Sequence, residues 1–139
     1  MCGDVLHFAP EIVGGGGYGY PADLWALGCL AYELFTANAP FGAPGEVESV
    51  VYGRIAKRDR GPDPDGTPPG LSAFWDALFA VEDERAGVVD LKNHPFLAAV
   101  DWAELRARAA PSPLLALCAP APDAGAFGAW RAGLEAAEP

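Results

Sequence analysis

The sequence predicts a mainly α-helical domain, one central buried helix surrounded by three or four shorter ones, with an extended C-terminal tail. Three observations predict it. Between Pro21 and Phe35, residues Leu24, Leu27, Gly28, Ala31, Leu34 and Phe35 keep the i, i+3, i+4, i+7 spacing of a helix. Trp25, Cys29 and Tyr32 make the other faces apolar too, so this helix is expected to be covered on all sides. The chain has 139 residues, 51% hydrophobic and 20% charged, which suits one globular domain rather than disorder. From Pro111 onward the sequence turns to Ala and Pro, with Pro113, Pro120 and Pro122, and lacks the apolar variety for a core of its own.

Each element has a local reason. Pro10 disfavours helix at Ala9, so residues 1–13 read as an extended loop entering a short turn. The run Gly14 to Gly19 satisfies GxGxxG in letters, but Pro10 sits where the strand of a phosphate cradle would be, and the run reads as a loop. Pro21 suits a first helical turn and Asp23 complements the positive end of the helix dipole, while Asn38 to Pro40 stop the helix. At roughly 15 residues it is too short to span a bilayer.

Glu46 to Lys57 is a surface helix, with Val47, Val50, Val51 and Ile55 on its inner face. Arg58 to Gly70 is rich in Gly, Pro and Asp and reads as a solvated loop. Helix resumes over Leu71 to Val81, with Leu71, Phe74, Trp75, Leu78 and Phe79 inward, and again over Val88 to Ala99 and Asp101 to Arg108. Leu114, Leu115, Leu117, Phe127 and Trp130 are the candidate anchor points of the tail.

Charge and cysteines narrow the function. A net charge of −10 and an isoelectric point near 4.4 argue against unaided binding to nucleic acid or an anionic membrane, and favour a basic peptide or protein partner. Cys2, Cys29 and Cys118 are widely spaced, and with only His7 and His94 beside them they make no zinc site; reduced, buried thiols are expected. No charged-then-apolar leader is visible, so a cytoplasmic or nuclear location is expected. Met1, the only methionine, opens straight into structured-looking sequence, which points to a longer polypeptide.

Six segments carry a family resemblance. Cys2-Gly3, Phe8-Ala9-Pro10-Glu11, Asp23-Leu-Trp-Ala-Leu-Gly28, Pro40-Phe41, Arg85 and Asn93-His94-Pro95-Phe96 come in order and near the spacing of the C-terminal lobe of a eukaryotic protein kinase. Asp101-Trp102 and the Pro-rich tail with Phe127 resemble the AGC-group serine/threonine kinases, most nearly the cyclic-GMP- or cyclic-AMP-dependent ones. The resemblance implies a partial C-terminal lobe over residues 1–98, holding the substrate loop, the Ala-Pro-Glu motif and helices F to I. It implies the group's C-terminal extension over residues 99–139. It also implies a serine/threonine kinase whose complete form transfers phosphate from ATP, with magnesium, to basic peptides.

The same resemblance assigns residue roles. Glu11 should bridge Arg85, tying the substrate loop to the helical base, and Asp23 should orient the catalytic loop. Met1, Val5, Phe8 and Glu33 should face the substrate, with Glu33 receiving an arginine two positions before the phosphoacceptor. Read without the family, an isolated acid on an apolar helix needs a cation or an exposed edge. Phe127 and Trp130 resemble the tail aromatics beside the adenine of ATP.

Departures from the pattern weigh against catalysis by this chain. Asp4 stands where the family has threonine, which would set a carboxylate against the catalytic aspartate. His7 replaces a usual tyrosine, and Leu6 an acidic or polar residue. The Gly-rich loop, strand lysine, His-Arg-Asp loop and Asp-Phe-Gly motif that hold nucleotide and metal are absent from these 139 residues. The chain is therefore expected to bind no cofactor, to hold no metal and no catalytic residue, and to need the missing N-terminal lobe as partner, leaving one face of its central helix open. The alternative is a pseudokinase-type module that binds protein without catalysis.

Overall fold

The computed structural model describes residues 3–113 of the chain. Among them are six α-helices: α1 (Pro10–Val13), α2 (Pro21–Thr36), α3 (Glu48–Lys57), α4 (Leu71–Leu78), α5 (Val88–Lys92) and α6 (Trp102–Arg106). Three 3-10 turns, Val5–His7, Glu82–Glu84 and Pro95–Leu97, complete the set, and no strand occurs among the described residues. The chain divides into two compact units, the second beginning at Asp101. In that second unit the Asp101 carboxylate caps α6, with Oδ1 accepting from Ala103 N and Glu104 N, both at 2.9 Å. No helix among the described residues is long and apolar enough to cross a membrane.

α2 is the element on which the first unit is packed, and it packs mainly against α4. Trp25 lies at the centre, fully buried, stacked on Phe41 at 4.9 Å between ring centroids and meeting Phe79 edge-on at 5.0 Å. Tyr32 meets Trp75 at 4.9 Å one helical stretch further on. α2 packs tightly on the end of α4 at Gly28, where a Cβ would lie 2.8 Å from Phe79 Cε1, just past the helix, and 3.0 Å from Leu78 Cβ. Only a residue without a side chain lets the two helices approach this far.

The buried side of α2 is Ala22, Leu24, Trp25, Gly28, Cys29 and Tyr32, so that of the stripe read from the sequence only Leu24 and Gly28 are buried. Leu27, Leu30 and Leu34 are 40%, 48% and 79% exposed. At about 100° per residue, Asp23, Leu27, Leu30 and Leu34 fall within about 60° of one another, opposite the buried set. A helix apolar on every side carries almost no periodic signal of orientation, so the aromatic wall of Phe41, Trp75 and Phe79 decided which side turned inward.

Two further boundaries differ for local reasons. The helix expected over 88–99 divides, because Pro95 holds His94 extended (φ −67°, ψ 137°), and α5 gives way to the Pro95–Leu97 turn. In α3 only Val51 and Ile55 are buried; Val47 and Val50, expected inside, are 66% and 44% exposed. Five short α-helices therefore accompany α2 among the described residues, more than the three or four expected.

Candidate functional site

Arg85 is the most heavily bonded side chain of the first unit. It follows the Glu82–Glu84 turn in extended conformation, and its guanidinium, fully buried, reaches back beneath the start of α2. Nη1 donates to Glu11 Oε1 at 2.6 Å and to the Pro21 carbonyl at 2.7 Å; Nη2 donates to Glu11 Oε2 at 3.1 Å and to the Ala80 carbonyl at 3.2 Å. Nε also donates to Ala80 O, at 3.3 Å, so each of the five N–H groups has an acceptor. The guanidinium further lies 5.2 Å from the ring centre of Trp25. One side chain thus joins α1, α2 and the segment after α4.

The Glu11 carboxylate answers with a two-pronged bridge, 10% exposed. Its burial is the largest single influence and pushes its pKa up, but the hydrogen bond and charge of Arg85, with a backbone hydrogen bond, outweigh it and hold the pKa below 4.5.

The second constellation lies where the Val5–His7 turn meets the C-terminal end of α2. Asp4 starts the turn, its Oδ1 accepting from Leu6 N at 3.0 Å. That cap turns the His7 ring onto α2, where Nε2 lies 3.3 Å from both carboxylate oxygens of Glu33. His7 Nδ1 faces Asp4 Oδ2 at 3.7 Å. Beyond Glu33 the helix ends at Ala37 in left-handed conformation (φ 57°), its N–H donating to the Glu33 carbonyl at 2.8 Å. This reversal encloses a cavity of about 230 Å³, lined by Leu6, Glu33, Asn38, Gly42 and Pro44 among others. Glu33 stands at its lip, 30% exposed, paired with a histidine rather than with a lysine or arginine. A neighbouring cleft holds Glu46 and Arg54, but these neutralise each other at 2.8 Å.

The remaining expected site residues sit as follows. Asp23 is exposed at the start of α2, and no side chain among the described residues bonds to it. Val5 is half-buried and packs on the core. Phe8, expected to face substrate, is turned inward, 8% exposed, with its ring against Gly3. Met1, Phe127 and Trp130 lie outside the described residues, as do Cys2, Cys118 and the tail anchors Leu114, Leu115 and Leu117. Cys29 is a free thiol in the core, pushed up to about 12 by burial and by the nearby Glu33 charge. Among the described residues no three His, Cys, Asp or Glu side chains come together as a metal ion would require.

Sequence reasoning missed two pairings. His7 was read only as a replacement, and no local spacing relates it to Glu33, 26 residues away. Arg60 was read as part of a solvated loop. Its side chain is 11% exposed, lies 5.3 Å from the Trp75 ring centre and bridges Asp63 at 2.6 Å and Asp76 at 2.9 Å. The i, i+3 spacing of Arg60 and Asp63 was the available signal, and the surrounding glycines and prolines masked it.

The chain's amino-acid sequence is similar to those of known proteins. Residues 1–97 match the protein kinase domain. The chain is 32% identical over 115 residues to the serine/threonine-protein kinase AtPK2/AtPK19 of Arabidopsis thaliana, covering 78% of this chain and 23% of that protein. It is 33% identical over 122 residues to ribosomal protein S6 kinase alpha-4 of Homo sapiens, covering 81% of this chain and 16% of that protein. It is 31% identical over 124 residues to cGMP-dependent protein kinase 2 of Homo sapiens, covering 82% and 16%. The chain spans less than a quarter of the length of these relatives.

Proposed function

This chain belongs to the protein kinase family, with serine/threonine kinases as its relatives, and from that membership we propose that it is the substrate-docking and structural C-terminal lobe of such a kinase. The AGC group, near the cyclic-nucleotide-dependent kinases, is the branch proposed, with residues 1–98 as the partial lobe and 99–139 as the C-terminal extension. The docking role rests on one observation above the others: Glu33 presents a part-exposed carboxylate at the lip of a cavity, with no lysine or arginine of the described residues upon it. A guanidinium of a basic peptide is the cation that such a carboxylate takes best, through two parallel N–H bonds. The chain's −10 charge would draw such peptides in.

The Glu11–Arg85 bridge supports the structural half of the reading, since it fixes the loop carrying Asp4 to Phe8 against the helical base. The open stripe of Asp23, Leu27, Leu30 and Leu34 is the surface proposed to receive the rest of the kinase, with Asp23 orienting its catalytic loop. ATP and magnesium are proposed for the complete kinase, with Phe127 and Trp130 on the adenine side. No step through either is assigned to the residues described. A cytoplasmic or nuclear location is part of the same proposal.

A second reading is favoured by Asp4, whose carboxylate already caps the Val5–His7 turn and is exposed beside His7. A negative charge fixed there would oppose phosphoryl transfer, leaving a pseudokinase-type protein-binding module. Purified chain, incubated with ATP, magnesium and a basic serine peptide, is expected to transfer no phosphate. Transfer by the 139-residue chain would overturn both readings. Transfer by the longer polypeptide that carries it would favour the first, and peptide binding without transfer the second.

A further inference from the structure

We propose that His7 is a built-in, proton-controlled competitor for Glu33, so that the chain holds a basic ligand less tightly as pH falls. The inference rests on the reading of Glu33 as the acid that receives a ligand's guanidinium. It adds a regulator to that site.

The geometry carries it. Both carboxylate oxygens of Glu33 lie 3.3 Å from His7 Nε2, so the hydrogen of the neutral ring belongs on Nε2, and the Nδ1 lone pair faces Asp4 Oδ2 at 3.7 Å. Adding a proton places an N–H on Nδ1, aimed at Asp4, and a positive charge between two carboxylates. A single hydrogen bond to Glu33 becomes an ion pair.

Among the described residues, Glu33 is paired with no lysine or arginine. The Val5–His7 turn packs against α2 and α3. α2 carries only Asp23, at its opposite end, and Glu33. α3 carries Glu48, Arg54 and Lys57; Glu48 lines the cavity beyond Asp4, and Arg54 is held by Glu46 at 2.8 Å. Glu33 therefore meets its one side-chain partner among the described residues in a ring that is neutral or positively charged according to whether it holds one proton or two. An entering guanidinium must displace that ring or share the carboxylate with it. Against the neutral ring it exchanges one hydrogen bond for a charged pair; against the imidazolium it must break a pair of the same kind.

The test is titration of the full chain with a peptide bearing one arginine, and with the same peptide bearing citrulline, at pH 6 and pH 8. Wild type and His7→Gln, which keeps a side-chain donor but does not titrate, are compared. For wild type the arginine peptide is expected to bind about fivefold more weakly at pH 6 than at pH 8, and for His7→Gln about equally at both. Binding by His7→Gln where wild type fails to bind would also support the proposal. The same pH dependence in both proteins, with arginine still preferred over citrulline, would overturn the competitor and leave Glu33 as the docking acid. Absence of any arginine preference in both proteins at both pH values would overturn the docking reading and the competitor with it.

Discussion

Replacing Arg85 by methionine is expected to lower the stability of the chain by about 3–5 kcal/mol, because it strands the Glu11 carboxylate in a site that is 90% screened from water. Glu11→Gln strands the guanidinium instead and should cost a similar amount. The two together should cost much less than the sum, since neither then leaves a charge behind. Urea denaturation of the two single variants and the double variant measures this; strict additivity would mean that the bridge does not act as a unit. The pH dependence has a definite sign. A carboxyl held below 4.5 in the folded chain contributes fully above the unfolded value and loses its contribution as pH falls through the lower folded value. The stability gap between wild type and Glu11→Gln should therefore stay constant from neutral pH to about 4.5 and shrink below it.

The purified chain is expected to bind a hydrophobic dye and to self-associate, and Leu27→Gln, Leu30→Lys and Leu34→Lys, made together, are expected to abolish both while leaving its helix content intact. Fully burying one leucine is worth about 1.5–3 kcal/mol, so this partly exposed trio withholds on the order of 3–5 kcal/mol until something covers it. None of the three contributes to the buried wall of Trp25, Cys29 and Tyr32, so their loss should not loosen the core. Fluorescence with the dye and sedimentation of wild type and variant provide the comparison. Dye binding and association that persist in the variant would place the sticky surface elsewhere.

What was legible in the sequence was what local chemistry writes into it. Pro21, Asp23 and Asn38 to Pro40 bracketed α2, and the spacing of Leu71, Phe74, Trp75 and Leu78 gave the buried face of α4. The ion pair of Glu11 with Arg85, 74 residues apart, was not written in any spacing; the family resemblance supplied the expectation, and the structure brings the two side chains together. The orientation of α2 was not legible, because apolar residues on every side leave the choice to the partner aromatics. The pairing of His7 with Glu33, 26 residues apart, follows from no local spacing, and the left-handed backbone at Ala37 that ends α2 comes without a glycine to announce it. Arg60 shows the opposite failure: a segment with every mark of a solvated loop holds a nearly buried cation, because Trp75 offers it a ring and Asp63 and Asp76 its counter-charges.

The claim on which the account turns is that Glu33 receives a basic ligand. Calorimetric titration of wild type and Glu33→Gln at pH 8, each with an arginine peptide and its citrulline counterpart, tests it most directly. The account predicts that wild type prefers arginine by about tenfold, the worth of a charge-assisted two-pronged pair at a part-exposed site, and that Glu33→Gln prefers neither. An arginine preference that survives intact in Glu33→Gln would contradict it.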